Sequence, residues 1–251
     1  MVTKDYSYSE VPSDLQKRID AHKKYSEFSL EEFLQQEFPV RGKCVLDLGC
    51  GSGNFAGLFS DQAQAYLGVD KNPELIQQAR SKFGKRPNVW FAVSDIDDPF
   101  PFPEKMWDLI FLIFSSYYSN NPADLFDRCL AALNTGGKVV AIGPGPENAK
   151  EIDAYCYALF KRKVSSEKRV GRISGEFSQL LKQQPVSHEL KRIHFDLQFP
   201  SYEEYFEYIS STLQYRESVV GPLDELRSRE ILEKKFGLRL TKQVECLCGT
   251  K

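Results

Sequence analysis

The sequence has few of the residues on which metal and redox sites depend. Histidine occurs three times and methionine twice. None of the six cysteines stands in a Cys-x-x-Cys pair or in a Cys and His spacing typical of a zinc site. Cys44 and Cys246 lie in apolar segments, where a free thiol behaves as a small hydrophobic side chain. The sequence therefore predicts reduced cysteines, no metal ion and, since such thiols are typical inside cells, a cytoplasmic protein.

Long apolar runs and an excess of one charge are also absent. The formal net charge is -2, which excludes the strongly basic face typical of a nucleic-acid-binding protein. The basic residues between Lys161 and Arg172 are expected to form a solvated helix end and loop. No stretch approaches the ~20 apolar residues of a membrane span, and the polar N-terminal segment lacks the apolar core of a signal peptide. We therefore expect neither a nucleic-acid partner nor a membrane partner.

Short apolar runs alternate with helical segments along most of the chain. The predicted strands are 44–49, 65–70, 89–95, 107–115, 137–144, 191–199 and 238–248. This alternation is typical of βαβ units and a parallel sheet, so the predicted class is a doubly wound α/β fold. Two helices precede the first strand, one beginning near Pro12 and one capped by Ser29.

The absence of repeats and of low-complexity linkers predicts a single domain over residues 1–251. Its expected parts are an N-terminal helical lid (1–38), a core (42–145) and a C-terminal part with helical additions and the last two strands (146–251).

The most informative segment is VLDLGCGSGNF, residues 45–55, in which a strand runs directly into a glycine-rich turn and a helix. Glycines permit positive φ and let a ligand approach bare backbone, and the helix N-terminus adds free N–H groups. Ligands of open α/β sheets bind at the carboxyl ends of the strands. A dinucleotide fingerprint has the form GxGxxG, and Asn54 occupies its third glycine position here, which disfavours a nicotinamide oxidoreductase.

This segment closely resembles the first motif, (D/E)xGxGxG, of the class I S-adenosylmethionine-dependent methyltransferases. The resemblance implies a Rossmann-like, seven-stranded, mostly parallel sheet whose last two strands form an antiparallel pair at the edge, here with a helical insertion between them. It also implies S-adenosylmethionine as cofactor and S-adenosylhomocysteine as product.

The resemblance assigns roles to residues at the ends of the next strands. Asp70 lies 19 positions after Gly51, near the ~20 seen for ribose-binding acids, and is expected to accept both ribose hydroxyls. Asp95 is expected to accept from the adenine amino group, with Ile96 against the ring. The predicted cofactor-binding residues are Asp47, Gly49, Cys50, Gly51, Ser52, Gly53, Asn54, Asp70, Lys71, Asp95, Ile96, Ile113 and Phe114.

The acceptor side is less clearly marked. Tyr117 and Tyr118 follow the fourth strand, where the resembling enzymes often have residues that face the acceptor. His22 belongs to the N-terminal helix, which in that family often closes over the cofactor. These three residues are the candidate catalytic groups, and an exposed helix histidine is the alternative for His22. Weaker candidates are the tyrosines of the N-terminal segment, Tyr6, Tyr8 and Tyr25.

Two further features allow a structural or a functional interpretation. An aromatic stripe runs through residues 202–209 at helical spacing, which is typical of core packing and, alternatively, of a lid over an apolar substrate. His194 lies in the middle of a predicted strand and is expected to be structural.

The resemblance predicts an enzyme that methylates an oxygen or nitrogen of a small-molecule metabolite. The alternatives are a methyltransferase acting on protein or RNA and a non-catalytic partner that keeps the fold. The intact glycine motif and Asp70 argue against the last of these. The oligomeric state stays open.

Overall fold

The structure is a computed structural model that describes residues 11–99, 106–162 and 170–251. Seven strands form one sheet in the order β3-β2-β1-β4-β5-β7-β6. They are β1 (Cys44–Leu48), β2 (Ala65–Asp70), β3 (Val89–Val93), β4 (Trp107–Ile113), β5 (Leu133–Pro144), β6 (Ser187–Gln198) and β7 (Arg239–Thr250). The pairs among β1 to β5 are parallel, and β7 runs antiparallel to both of its neighbours, β5 and β6. The predicted doubly wound, mostly parallel sheet is confirmed.

Helices cover the sheet and extend beyond one edge of it. They are α1 (Pro12–Tyr25), α2 (Leu30–Glu37), α3 (Ala56–Ser60), α4 (Pro73–Phe83), α5 (Pro122–Ala132), α6 (Lys150–Phe160), α7 (Ser178–Lys182), α8 (Tyr202–Ser210), α9 (Leu213–Ser218) and α10 (Glu225–Arg229). A 3-10 turn spans Ser116–Tyr118, and π-helical turns span Ile173–Phe177 and Glu230–Lys235. The predicted cap of α2 is present, because the Ser29 hydroxyl accepts from the Glu32 amide at 3.2 Å.

The strands β5 and β6 begin earlier than predicted, because their first residues pair with neighbouring strands. β5 begins at Leu133 rather than 137, because Leu133 pairs with Trp107 before the register shifts ahead of Leu109. β6 begins at Ser187 rather than 191, because its whole length pairs with β7. Such edge pairing leaves no signal in the periodicity of a single strand.

The continuous apolar character of the inner strands reflects burial on both faces. On one face Val45, Phe111 and Ile142 pack with α2, α3 and α4. On the other face Leu46 and Ile110 pack with α5 and α7. Adjacent residues of one strand therefore contribute to two different cores.

A third core lies beyond the sheet edge formed by β6 and β7. We call the elements that build it, α1, α6, α8 and the π-helical turn Glu230–Lys235, the cap. Tyr202, Tyr205 and Ile209 are buried there among its apolar side chains. These three residues of the aromatic stripe are thus core packing, whereas Tyr208 of the same stripe also lines the cavity described below.

The basic run before Arg172 differs from its prediction. Arg172 is buried, and its guanidinium donates to the carbonyl oxygens of Tyr117 and Ser119 at 2.6 and 3.2 Å. The prediction that it lies on a solvated surface is wrong, because these carbonyls and the Glu176 carboxylate, 2.7 Å from the guanidinium, hold Arg172 inside the fold. Lys161 and Arg162 are exposed, and the remaining members of the run lie outside the described residues.

All six cysteines are free thiols. Over the described ranges no helix is both long and apolar enough to cross a bilayer. The same part of the chain holds no group of three His, Cys, Asp or Glu side chains placed to bind a metal ion.

Candidate active site

A cavity of about 880 Å³ opens at the carboxyl ends of the parallel strands. Strand order reverses between β1 and β4, so the turns that follow these strands diverge and leave a crevice. The glycine-rich turn and the ends of β2 and β4 form one end of the cavity, which we call the cofactor end. The helices α1, α8 and α9 and the first residues of β7 form the other end, which we call the cap end.

Two glycines of the turn are required for different reasons. Gly49 has φ of 81°, and a Cβ there would lie 2.3 Å from the Cβ of Ser115. The Ser115 hydroxyl donates to the Leu48 carbonyl at 2.5 Å, so β1 and β4 are tied together at this point. Gly51 has φ of 56°, and nothing lies within 4 Å of its Cβ position. Gly51 therefore presents bare backbone beside open space.

Gly53 and Ser52 lie outside the lining of the cavity, which differs from the prediction. A Cβ on Gly53 would lie 3.2 Å from the Phe83 ring and 3.3 Å from Ala79, so this glycine lets α4 pack closely against the turn. The Ser52 hydroxyl faces the Asn54 side chain at 3.3 Å. The third glycine of the motif therefore serves helix packing, as in the dinucleotide fingerprint.

Asp70 is held by the backbone at the wall of the cavity. One carboxylate oxygen accepts from the Gly51 amide and the other from the Asn72 amide, each at 2.9 Å. Each oxygen keeps a second lone pair for a ligand. Burial raises the pKa of Asp70, whereas these two amide donors act in the opposite direction.

Asp47 lies beneath the turn and is fully buried. Its carboxylate accepts from the Tyr66 hydroxyl at 2.8 Å. Burial, assisted by the charge of Asp70, raises the pKa of Asp47 to about 7, while the Tyr66 donor opposes the rise. The carboxyl group is therefore partly protonated at neutral pH. Cys50, above it, has a pKa raised well beyond its ordinary value because it is buried beside these acids.

The structure distinguishes the three acids of residues 95–98, which read Asp-Ile-Asp-Asp. The Asp97 carboxylate accepts hydrogen bonds from the Ser119 hydroxyl at 2.5 Å and from the Asn120 amide at 2.8 Å. Asp98 accepts from the Asp95 amide at 3.0 Å. Asp95 itself lines the cavity, with the Lys71 ammonium 3.6 Å from its carboxylate. Asp95 also accepts from the Asp97 amide at 3.1 Å, but of these three acids it is the one that lines the cavity.

The end of β4 carries the predicted apolar and aromatic wall. Ile96, Ile113 and Phe114 line the cavity, and Phe114 adopts a left-handed φ of 53°. Such a conformation is uncommon for a side chain of this size and is typical of functional turns. Tyr117 and Tyr118 follow with ring centroids 4.7 Å apart, and both line the cavity.

His22 faces the cavity from α1, so it is not the exposed helix residue of the alternative interpretation. Its Nε2 lies 3.3 Å from the Tyr208 hydroxyl. Burial and the charges of Lys242 and Arg18 lower the pKa of His22 to about 3. The imidazole is therefore neutral at pH 7 and is a weak base in the free protein.

The other candidates named from the sequence are placed elsewhere. Tyr25 donates to Glu204 of α8 at 2.5 Å and does not line the cavity. Tyr6 and Tyr8 lie outside the described residues. His194 lies 2.6 Å from the Gln243 side-chain amide, in keeping with a structural role.

Sequence reasoning missed several side chains at the cap end, among them Arg18, Tyr208 and Lys242. Arg18 and Tyr208 carry no distinguishing signal, because they belong to ordinary amphipathic helices. Lys242 does carry one, since it interrupts the apolar face Leu240, Val244 and Cys246 of an alternating strand.

Residues 45–137 match the model of a family described as a methyltransferase domain. The match begins in β1, ends in β5 and contains the glycine-rich turn, Asp70 and Asp95. Residues 45–137 therefore carry a methyltransferase domain.

Curated relatives of the methyltransferase domain differ in the molecules that their names mention. A trans-aconitate 2-methyltransferase from Escherichia coli is 27% identical over 216 residues, which are 80% of this chain and 81% of the relative. A tRNA U34 carboxymethyltransferase from Hahella chejuensis is 34% identical over 118 residues, which are 44% of this chain. The chain spans 36% of that relative's length and 35% of the length of a malonyl-[acyl-carrier protein] O-methyltransferase from Ilyobacter polytropus.

Solved structures share the fold of the methyltransferase domain. The YcgJ protein from Bacillus subtilis superposes with a TM-score of 0.62 at 16% identity, covering 88% of this chain and 97% of that one. A SAM-dependent methyltransferase from Aquifex aeolicus superposes with a TM-score of 0.56 at 18% identity, covering 74% and 93% respectively.

Proposed function

We propose that this protein is an enzyme that uses S-adenosylmethionine to methylate an oxygen or nitrogen of a small molecule. The observation that carries the proposal is the cofactor end of the cavity. Bare backbone at Gly51, the backbone-held carboxylate of Asp70 and the carboxylate of Asp95 line one continuous wall there.

The residues of this wall fit the cofactor in chemistry and in order. The free lone pairs of Asp70 suit a pair of vicinal hydroxyls such as those of ribose. Asp95 suits an amino donor, and the buried side chain of Ile96 beside it suits the face of an aromatic base. Gly51 leaves the space that a Cβ would fill, so that a ligand can contact the backbone.

Methyl transfer requires little chemistry from the protein beyond positioning. Bound S-adenosylmethionine supplies an electrophilic methyl group. The protein has to hold the accepting atom in line with it at about 3–3.5 Å and exclude water. Tyr117 and Tyr118 line the cavity after the end of β4, and a phenol in the lining can orient an oxygen or nitrogen by hydrogen bonding.

The shape of the acceptor side supports a small acceptor. The cap covers the end of the cavity opposite the glycine-rich turn, and α1 contributes Leu15, Ile19 and His22 to the wall. A relative that matches 80% of the chain is named for a small molecule, trans-aconitate. A macromolecular acceptor would require an open cleft, so we propose a small one.

The first experiment is calorimetric titration of the purified protein with S-adenosylhomocysteine and, separately, with NADH. We expect binding of the homocysteine product alone. Asp70→Asn keeps one carbonyl oxygen for the backbone amides but loses the charge, and we expect it to weaken binding at least ~10-fold, the loss typical of one hydrogen bond to a charged group.

Asp127→Asn is the matched control, because Asp127 is exposed on α5 and accepts a hydrogen bond from the Gln184 side chain, its one side-chain partner in the described part of the chain. It should bind like the wild type. Equal affinity of the Asp70 and Asp127 variants, with unchanged thermal unfolding in both, would overturn the cofactor assignment. Binding of NADH in place of the homocysteine product would do the same.

A further inference from the structure

Lys242 is a buried cation at the cap end of the cavity. Its side chain is only 9% exposed, and its ammonium donates to the Tyr208 hydroxyl at 3.2 Å. Across the described ranges no carboxylate forms an ion pair with it. An ammonium has three donors, so Lys242 keeps donors and a full charge for a ligand.

Glu245, three residues along the same strand, shows how this fold treats a buried charge that serves structure. It is completely buried, and it accepts from the Arg192 guanidinium at 2.9 Å and the Ser174 amide at 3.0 Å. Burying a charge without an opposite one is costly. Arg192 supplies the opposite charge for Glu245, whereas no carboxylate of the described residues supplies one for Lys242.

Neighbouring groups make the surroundings of Lys242 more positive. Arg18 lines the same wall one helical turn before His22 and donates to the Ser211 carbonyl. The Tyr208 hydroxyl, which accepts from Lys242, lies 3.3 Å from the His22 Nε2, so the three groups form one hydrogen-bonded chain. The low pKa of His22 arises from burial and from the two cations, and no carboxylate contributes to it.

Across the described ranges none of the carboxylates that line the cavity forms an ion pair with Lys242, including that of Glu217, which lines the cap end from α9. Glu31 pairs with Lys23 at 3.2 Å, and Asp70 is held by two backbone amides. The cavity lining also includes apolar side chains, among them Leu15, Ile19, Ile152, Phe195 and Leu213. The cap end thus combines one uncompensated cation with room for a hydrophobic body.

We propose that Lys242 binds a carboxylate of the acceptor, and that the acceptor is therefore a small organic acid. Naming this anion as the acceptor rests on the proposed methyl transfer. A carboxylate is favoured over a phosphate because a single ammonium matches one negative charge. A phosphate carries about 1.5 to 2 charges and three strong acceptor oxygens, which suit a cluster of arginines.

The test compares acids with their uncharged amides on the purified protein. Phenylacetate, hexanoate and adipate are titrated calorimetrically, each beside its amide, with and without saturating S-adenosylhomocysteine. We expect at least one acid to bind and its amide to bind about tenfold or more weakly. Lys242→Met should lose this preference and bind the acid about ten- to hundredfold more weakly, whereas Lys242→Arg should stay within a few-fold of wild type.

Lys82→Met is the matched control, because Lys82 is exposed on α4 and lies outside the cavity lining. It should bind the acids like the wild type. Equal binding of acid and amide by the wild type, an unchanged preference in Lys242→Met, or no binding of any acid would overturn the proposal.

Titration with S-adenosylhomocysteine distinguishes a failure of the carboxylate site from a failure of the proposed function. A protein that binds S-adenosylhomocysteine but none of the acids overturns the carboxylate site alone. A protein that binds acids but not the homocysteine product overturns the cofactor assignment alone.

Thermal unfolding distinguishes a binding role of Lys242 from a structural one. Replacing an uncompensated buried charge by an apolar side chain of similar length is often neutral or stabilising. We therefore expect Lys242→Met to unfold at or above the wild-type temperature. A clearly lower temperature would show that Lys242 supports the fold and would overturn the proposal.

Discussion

At the scale of single residues, a substitution has different consequences at the two glycines of the turn that line the cavity, Gly49 and Gly51. Alanine at 49 would place its Cβ 2.3 Å from that of Ser115, at a φ of 81°. Alanine at 51 would meet no atom within 4 Å, at a φ of 56°. One substitution therefore tests packing between β1 and β4, and the other tests the space reserved for the ligand.

We expect Gly49→Ala to lower the free energy of unfolding by about 3 kcal/mol or more, since left-handed strain of about 1–2 kcal/mol adds to overpacking of about 1–3 kcal/mol. Gly51→Ala should lose only the strain, yet bind S-adenosylhomocysteine at least ~10-fold more weakly because its methyl group faces the cavity. Urea unfolding and calorimetry measure the two effects. Wild-type affinity in Gly51→Ala would mean that the turn does not contact the ligand.

Asp47 predicts a pH dependence of stability in the free protein. Its pKa in the fold, about 7, lies above the ordinary value of 3.8 expected in the unfolded chain. The native state therefore holds this proton more tightly. The stabilisation is fully present below about pH 4 and is lost as pH rises through 7.

We expect Asp47→Asn, which is uncharged at every pH, to gain stability relative to the wild type as pH rises from 4 to 8. Denaturant unfolding at several pH values measures the difference between the two proteins. Asp127→Asn, an exposed change on α5, should show a difference that stays flat with pH. Parallel wild-type and Asp47→Asn curves would contradict the raised pKa.

At the scale of elements, the 3-10 turn Ser116–Tyr118 depends on a residue that is distant in sequence. Arg172 precedes the π-helical turn Ile173–Phe177 and binds the carbonyl oxygens of Tyr117 and Ser119. The segment between β5 and β6 therefore holds the turn that presents the two tyrosines to the cavity.

We expect Arg172→Met to lower the free energy of unfolding by about 1.5–3 kcal/mol, the loss typical of hydrogen bonds to a charged donor. Affinity for S-adenosylhomocysteine should change little, because Arg172 does not line the cavity. Arg41→Met, in an exposed turn, is the control and should unfold like the wild type. Equal stability of both variants would show that the turn is held without Arg172.

At the scale of the whole molecule, a net charge of -2 conceals a separation of charge along the cavity. Asp47, Asp70 and Asp95 lie at the cofactor end, whereas Arg18 and Lys242 lie at the cap end. The rigid sheet carries the acids, and elements from both ends of the described chain bring the cations to them. The net charge of the whole chain therefore does not describe the polarity of a site.

The sequence by itself determined the sheet and the cofactor end. Strands buried on both faces must be continuously apolar, and a turn that lets a ligand reach backbone must contain glycine, so residues 44–55 signal both locally. Asp70 follows by position, because the carboxyl ends of parallel strands meet at one edge.

Only the tertiary structure decided which acid of residues 95–98 faces the cavity, that Gly53 serves packing, and that Arg172 is buried. It also decided the cap end, where Arg18, Tyr208 and Lys242 converge from α1, α8 and β7. The physical reason is that a local pattern reports which face of an element is buried, whereas a contact between distant segments depends on how helices and strand edges pack in three dimensions.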